Sequence, residues 1–499
     1  PASAGPDKDS LLSTPNAGLG SDGFVARHGL RDADGEARAR EVIAQAKAAG
    51  LEVIRLSFAD QHGVLHGKTI PVEQLSAVLA NGCSMTTTLI LKDTSHRTVF
   101  PVWSEGGGLG DQAWEGAGDF IMVPDPATFR ILPWSPHSGW MLCDINFTTG
   151  GRIPFSTRAI GQMATGKMAA AGYDYVAGLE VEFTVLKLTD PALRPSDAVQ
   201  PGKPPQTELL AQGFRYLSEQ NYDELEPVLD MIRRDVQKLG LPVRSIEAEF
   251  GPSQCEFTFA PASGIEHADN MILFRSAVKQ ICRRHGYHAT FMCRPKVENL
   301  FANGWHLHQS LVDLKTGRNV FMAETEGELL SPTGRQFVAG LLEHAAGSCV
   351  FTTPTVNGYR RYRPHALAPD RIQWGRDNKG AMVRAIGGPG DPGTRVENRV
   401  GEPAANPYLY LASQMLAGLD GIERGLTPPK PVDNPYSSDA VRLPQTLLEA
   451  VDALAASDFW REQMGSPFID YLLEIKKFEI NRYLSEVSEW EHQEYFQLF

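Results

Sequence analysis

The sequence predicts an α+β protein: a small β-rich N-terminal part followed by a larger part with a substantial sheet and many helices. Three observations carry this. Residues 84–145 hold many short β-like runs joined by Gly-rich connections such as Gly106-Gly107-Gly108, and they end in a turn-rich boundary, Met122 to Thr128, shortly before Asp144. Beyond it, helical spacings (Thr157–Ala171, Glu224–Leu239, His267–His285) interleave with strand patterns (Tyr175–Leu186, Ser245–Glu249, Cys255–Ala260, His288–Arg294, His306–Leu311). From Pro444 onward the pattern is mainly helical and rich in aromatics.

Taken in order, the chain opens on a Pro-, Gly-, Ala- and Ser-rich stretch that lacks the order of a secretory signal and reads as a disordered tail over residues 1–22. Asp34 is a plausible N-cap for a helix from Gly35 to Ala49, which Gly50 stops. Leu51 to Phe58 alternates as a half-buried strand, Asp60-Gln61-His62-Gly63 turns, and a second strand runs towards Pro71. Asp60 therefore sits at a hairpin tip, where an Asp also serves as an ordinary turn residue. Arg363–Pro369 and Gly387–Gly393 read as mobile loops between strands.

The 499 residues are 42% hydrophobic, enough for a large core. A formal net charge of −13 argues against a phosphate-backbone binder and leaves small soluble partners as the default, with no nucleic acid. Six scattered cysteines form no Cys-x-x-Cys pair, so reduced thiols in a cytoplasm fit best. No apolar run reaches the roughly 18 residues of a membrane span, and no membrane association is expected.

The chemistry concentrates on strands. His306 and His308 are two apart and face one way, as polar crevice residues or as ligands of a metal or nucleotide. Glu180 and Glu182 repeat that spacing, either on a solvent-facing edge or beside a cation that offsets their repulsion. Glu249 and Glu256 flank a turn that brings adjacent strands together, and Arg395, Glu397 and Arg399 share a face, as an ion-pair ladder or as a ligand between two anion-binding guanidiniums. Such oxygen-rich sets select Mg²⁺ or Mn²⁺, and metal with arginine is how phosphoryl groups are held and transferred. With no Walker loop and no dinucleotide fingerprint, a nucleotide would have to be held by metal and arginine.

Over residues 50–499 an ordered set of segments resembles the glutamine synthetase family. The set includes Phe58-Ala59-Asp60, Pro124 to Thr128, Glu180-Val181-Glu182-Phe183, Glu249 to Glu256, Gly304-Trp305-His306-Leu307-His308, Pro354-Thr355-Val356-Asn357, Trp374 to Asn378, Arg395 to Arg399 and Pro403 to Leu409. The resemblance implies a β-grasp domain over 23–145, and a catalytic domain over 150–499 with an antiparallel sheet flanked by helices. It implies a homo-oligomeric ring, expected to be a dodecamer, with active sites between subunits.

By position, Glu182, Glu249 and Glu256 resemble the ligands of one metal and Glu180, His306 and Glu397 those of a second, with two or three Mg²⁺ or Mn²⁺ ions per site. His308, Ser310 and Arg395 resemble nucleotide-binding residues; Gly304, Arg361 and Arg399 resemble those that hold the acid substrate; Asp60, Lys379 and Arg384 resemble catalytic residues. The implied partners are glutamate, ATP and an amine, and the implied reaction passes through a γ-glutamyl phosphate.

Three departures bear on the substrate. Ammonia-using members carry a flap glutamate where this chain has Leu367, so the amine pocket, with Asp60 its remaining acid, should favour an apolar or aromatic organic amine over ammonium. The family's Asn-Gly-Ser-Gly is here Phe301-Ala302-Asn303-Gly304, which alters the loop for the amino-acid end of glutamate. A phosphate-side arginine is here Lys379. The alternatives are a glutamine synthetase that uses ammonia and a non-catalytic structural relative.

Overall fold

The computed structural model describes residue 19, residues 22–363 and residues 368–499. The expected tail over 1–22 falls almost wholly outside the described residues, as does Leu367. These residues form two compact units. One comprises the chain up to Phe58 with Gly67–Thr86 and Asp119–Ile153; the other comprises Ala59–His66, Thr87–Gly118 and Pro154–Phe499.

In the first unit the helix Ala33–Ala48 is capped by Asp32, whose carboxylate accepts from the N–H of Gly35. Sequence pointed to Asp34, which instead lies in the first turn. Two acids so close satisfy the same pattern, and backbone geometry chooses between them. Val53–Ala59 alternates in burial as its sequence alternates in polarity, and it pairs in parallel with Ser138–Phe147. Asp119–Pro124 runs antiparallel on the far side of that strand, followed by Cys83–Thr86. Phe58 and Phe120 meet edge to face at 5.2 Å inside this sheet.

The second unit is built on a ten-stranded, mainly antiparallel sheet. Its centre is Tyr173–Leu188, with Trp305–Asp313 on one side and Gln254–Phe259 on the other. Arg395–Asn398, Val383–Ile386 and Trp374–Arg376 extend the first side, and Val243–Ala248 ends the second. Leu179, Val181, Phe183, Phe257, Trp305 and Leu307 are buried, and Phe183 and Phe257 contact Phe274 of the helix Glu266–Arg284. Alternation along each strand thus fills one face with apolar side chains and leaves the other for acids and histidines. The helices Thr157–Ala170 and Glu219–Lys238 start on the serine caps Ser156 and Ser218. Beyond Pro444 the chain forms Leu447–Ala455, Asp458–Met464, Ser466–Leu484 and Glu489–Tyr495. Among the described residues no helix is long and apolar enough to cross a membrane.

Candidate active site

Strand register sets the polar face in rows. His306 lies opposite Glu180, and Glu182 lies opposite Glu256, which in turn lies opposite Glu247. His308 faces Glu397, which faces Arg384 on the next strand. The hairpin turn does bring Glu249 near Glu256, yet the acid directly across from Glu256 is Glu247, because Glu249 lies just past the strand end. Carboxylate and imidazole atoms of Glu180, His306 and Glu397 converge within 4.8 Å; those of Glu182, Glu256 and His306, and of Glu247, Glu249 and Glu256, do the same.

The two halves of this face differ in charge balance. Glu180 works against burial but is gripped by both histidines: His306 Nδ1 donates to its Oε1 at 2.6 Å and His308 Nε2 to its Oε2 at 3.0 Å, and the carboxyl is held well below the usual range. Glu397 is also held low despite burial, by Arg399 first, and it pairs with Arg384 at 3.1 Å. Burial, aided by Arg399, pushes His306 down to about 4 and keeps it neutral. On the other half, burial and then Glu249 push Glu182 up to about 8. Burial followed by Glu180 and Glu182 pushes Glu256 up to about 11. Among the described residues Glu182, Glu247, Glu249 and Glu256 form no ion pair, and such a crowd of acids is the electrostatic signature of a divalent-cation cradle.

The arginines divide the work. Arg395 donates to His308 Nδ1 at 3.1 Å, and with Arg384, His308 and Ser310 it lines a cleft of about 330 Å³ beside Glu180. Arg399 donates to the Lys379 carbonyl at 2.9 Å and pairs with Glu397. Arg361 is buried, with one nitrogen on the carbonyl of Arg399 at 2.9 Å and another on His306 Nε2 at 3.0 Å. Lys379 is exposed and its charge is felt by Glu249. Gly304 N–H donates to Glu182 Oε2 at 2.7 Å, and the Gln254 amide ties the same oxygen to the Ala302 carbonyl and to Asn303.

A Cβ at Gly304 would stand 2.6 Å from the Arg361 nitrogen that meets His306, on a guanidinium whose other nitrogen donates to the carbonyls of Arg399, Val400 and Gly401. Gly304→Ala is therefore expected to lower kcat/KM by roughly 100-fold through displacement of Arg361, with the circular dichroism spectrum unchanged. Activity within threefold of the parent would show that Arg361 can move without consequence.

Asp60 is not joined to these rows. Its carboxylate accepts the N–H groups of His62 and Val64 and the His66 Nε2 at 2.8 Å, so its bonds are those of a hairpin turn. Sequence reasoning missed two residues. Arg244 lines the cleft beside Arg395, and Glu247 repeats, with Glu249, the two-residue spacing of Glu180 and Glu182. That second spacing was readable.

The glutamine synthetase catalytic-domain model matches residues 154–495. The chain belongs to the glutamine synthetase family. Within it, the chain is 42% identical to a gamma-glutamylanilide synthase of an Acinetobacter species over 95% of this chain and 99% of that one. It is 31% identical to a glutamine synthetase of Thermus thermophilus over 91% and 98%. A solved structure described as apo GmaS without ligand superposes with a TM-score of 0.76 at 29% identity, covering 91% of this chain and 99% of its own. The architecture of this glutamine synthetase family member is thus the α+β one its sequence predicts, an N-terminal β-grasp-type sheet and a large antiparallel sheet flanked by helices.

Proposed function

We propose that the protein is an ATP-dependent ligase joining the γ-carboxyl of glutamate to an organic amine, apolar or aromatic, through γ-glutamyl phosphate. The observation that carries the reading is the single sheet face on which Glu180, Glu182, Glu249, Glu256, His306 and Glu397 converge beside Arg361, Arg384, Arg395 and Arg399. It is supported by the relative named gamma-glutamylanilide synthase.

The donor set fits hard divalent ions, since acids pushed up by burial and mutual repulsion accept positive charge. Glu182, Glu249 and Glu256 would hold one Mg²⁺ or Mn²⁺, and Glu180, His306 and Glu397 a second. When bound, such ions neutralise charge on the transferred phosphoryl group. The protein's own residues then act in sequence. Arg384, Arg395, His308 and Ser310 hold the phosphates and nucleotide. Arg361, Arg399 and the Gly304 backbone orient the acid, whose γ-carboxylate attacks the γ-phosphorus and releases ADP. The amine nitrogen attacks the acyl carbon, loses its proton, and phosphate leaves. Because Asp60 is bonded within its own turn, its proposed part in the amine pocket would be played at a neighbouring subunit's site in a ring, for which we propose a dodecamer.

ADP release with glutamate, ATP and Mg²⁺ or Mn²⁺ tests the reading against ammonium, methylamine, ethanolamine, putrescine and aniline. Aniline or another apolar amine is expected to be the best acceptor. Highest turnover with ammonium would replace the proposal with an ordinary glutamine synthetase, and no stimulation by any amine would remove it. Leu367→Glu is expected to raise the ammonium-to-aniline preference by roughly tenfold, since it restores a negative charge and removes apolar surface. An unchanged amine profile would show that position 367 is not the selector.

A further inference from the structure

Beside Glu249 three phenyl rings form a closed triangle that leaves much of each ring uncovered. Phe214 meets Phe250 at 5.6 Å, Phe250 meets Phe301 at 4.9 Å and Phe214 meets Phe301 at 5.8 Å, each pair edge to face. They are 47%, 39% and 44% exposed, an unusual grouping of large apolar side chains beside a charged site. Their positions are imposed by the site itself. Phe250 follows Glu249 and donates its N–H to the Glu249 carboxylate at 2.9 Å. Phe301 opens the loop whose Ala302 carbonyl and Asn303 side chain are tied through Gln254 to Glu182. Phe214 donates its N–H to the Phe250 carbonyl at 2.7 Å while holding φ at 60°, a conformation that is strained for a bulky side chain and persists only where its surroundings enforce it.

We propose that Phe214, Phe250 and Phe301 are the specificity subsite for the ring of a neutral aromatic monoamine. The inference rests on the ligase reading and names the acceptor's binding site within it. An added ring would continue the edge-to-face packing already present. Arg294 and Lys296 line the same cleft as Phe214 and Phe301, with Glu298 the acid among its lining residues, so this wall of the cleft adds no net acid for a cationic alkylamine or polyamine, and a neutral ring needs none. Phe250 directly follows Glu249, and Phe301 opens the loop that ends at Gly304, so the rings adjoin the segments proposed to hold a metal ion and the acid substrate.

The test compares aniline with hydroxylamine, a nucleophile that has no ring, under saturating glutamate, ATP and Mg²⁺. In Phe250→Ala and Phe301→Ala the ratio of kcat/KM for aniline to that for hydroxylamine is expected to fall about tenfold, while Phe301→Tyr keeps the ratio of the parent. A ratio unchanged in both alanine variants would overturn the subsite. Parent protein that forms the hydroxamate but no anilide would overturn it too and leave the ligase reading standing, whereas failure with both nucleophiles would remove the ligase reading itself.

Discussion

Replacing Glu397 with alanine is expected to lower ADP release by at least about 10³-fold and to lower the apparent thermal midpoint by about 4–7 °C. The side chain is fully buried and is the negative centre for Arg399 and Arg384, with His306 Nδ1 3.6 Å away. Removing it leaves a buried guanidinium, Arg399, without its carboxylate. A loss of about 3–5 kcal/mol follows from stranding such a charge, which for a unit of this size is the stated shift in midpoint. The effect on turnover has a separate origin, because Glu397 is the one carboxylate that ties Arg384, otherwise held by Asp377, to Arg399, otherwise held by the Lys379 carbonyl, among the described residues. Glu397→Gln separates the two: it preserves shape and part of the hydrogen bonding, so it should recover half or more of the midpoint shift while turnover stays low. Calorimetry and the ADP assay read the two effects independently. An alanine variant that melts with the parent would show that the guanidiniums find other partners.

Much of this site was legible in the sequence because a strand permits little freedom. Period two forces Glu180 with Glu182, and His306 with His308, onto one face, and both pairs stand there together. What the spacing cannot supply is register. Whether Glu256 opposes Glu249 or Glu247 depends on how the turn Gly251 to Ser253 closes, and the answer, Glu247, comes from the ladder. The apolar rings were illegible for a different reason. Phe214, Phe250 and Phe301 lie in loops, where no periodicity links residues far apart in the chain, and only the fold assembles them. Similarly, the two readings offered for Glu397, ion-pair centre and metal ligand, are compatible in the structure, since it pairs with two arginines and converges with Glu180 and His306 at once.

In the presence of a chelator, stability is expected to fall steadily as pH rises from 7 to 8.5, and saturating Mg²⁺ or Mn²⁺ should abolish the fall. The sign follows from the acids on the crowded half of the face. Glu182 is raised from 4.5 to about 8 and Glu256 to about 11, chiefly by burial, so the folded protein keeps protons that the unfolded chain has already released. Each such group lowers stability progressively as pH rises between its unfolded and folded values, and both act up to about pH 8. The lowered carboxylates and His306 do not contribute in this window. Glu180, Glu397 and Asp60 are lowered, so their stabilisation is complete above the ordinary carboxylate range and is lost only on acidification. His306, lowered from 6.5 to about 4, is neutral in both states above pH 7. A divalent ion replaces the retained protons, so both states then carry ionised carboxylates and the slope vanishes. The ion itself adds about 2.7 kcal/mol at a concentration 100 times its dissociation constant. The gap between thermal midpoints with ion and with chelator should therefore widen from pH 7 to pH 8.5, and Glu256→Gln should flatten the slope in chelator. A gap of constant width, with equal slopes in chelator and in ion, would place the divalent ions elsewhere on the protein.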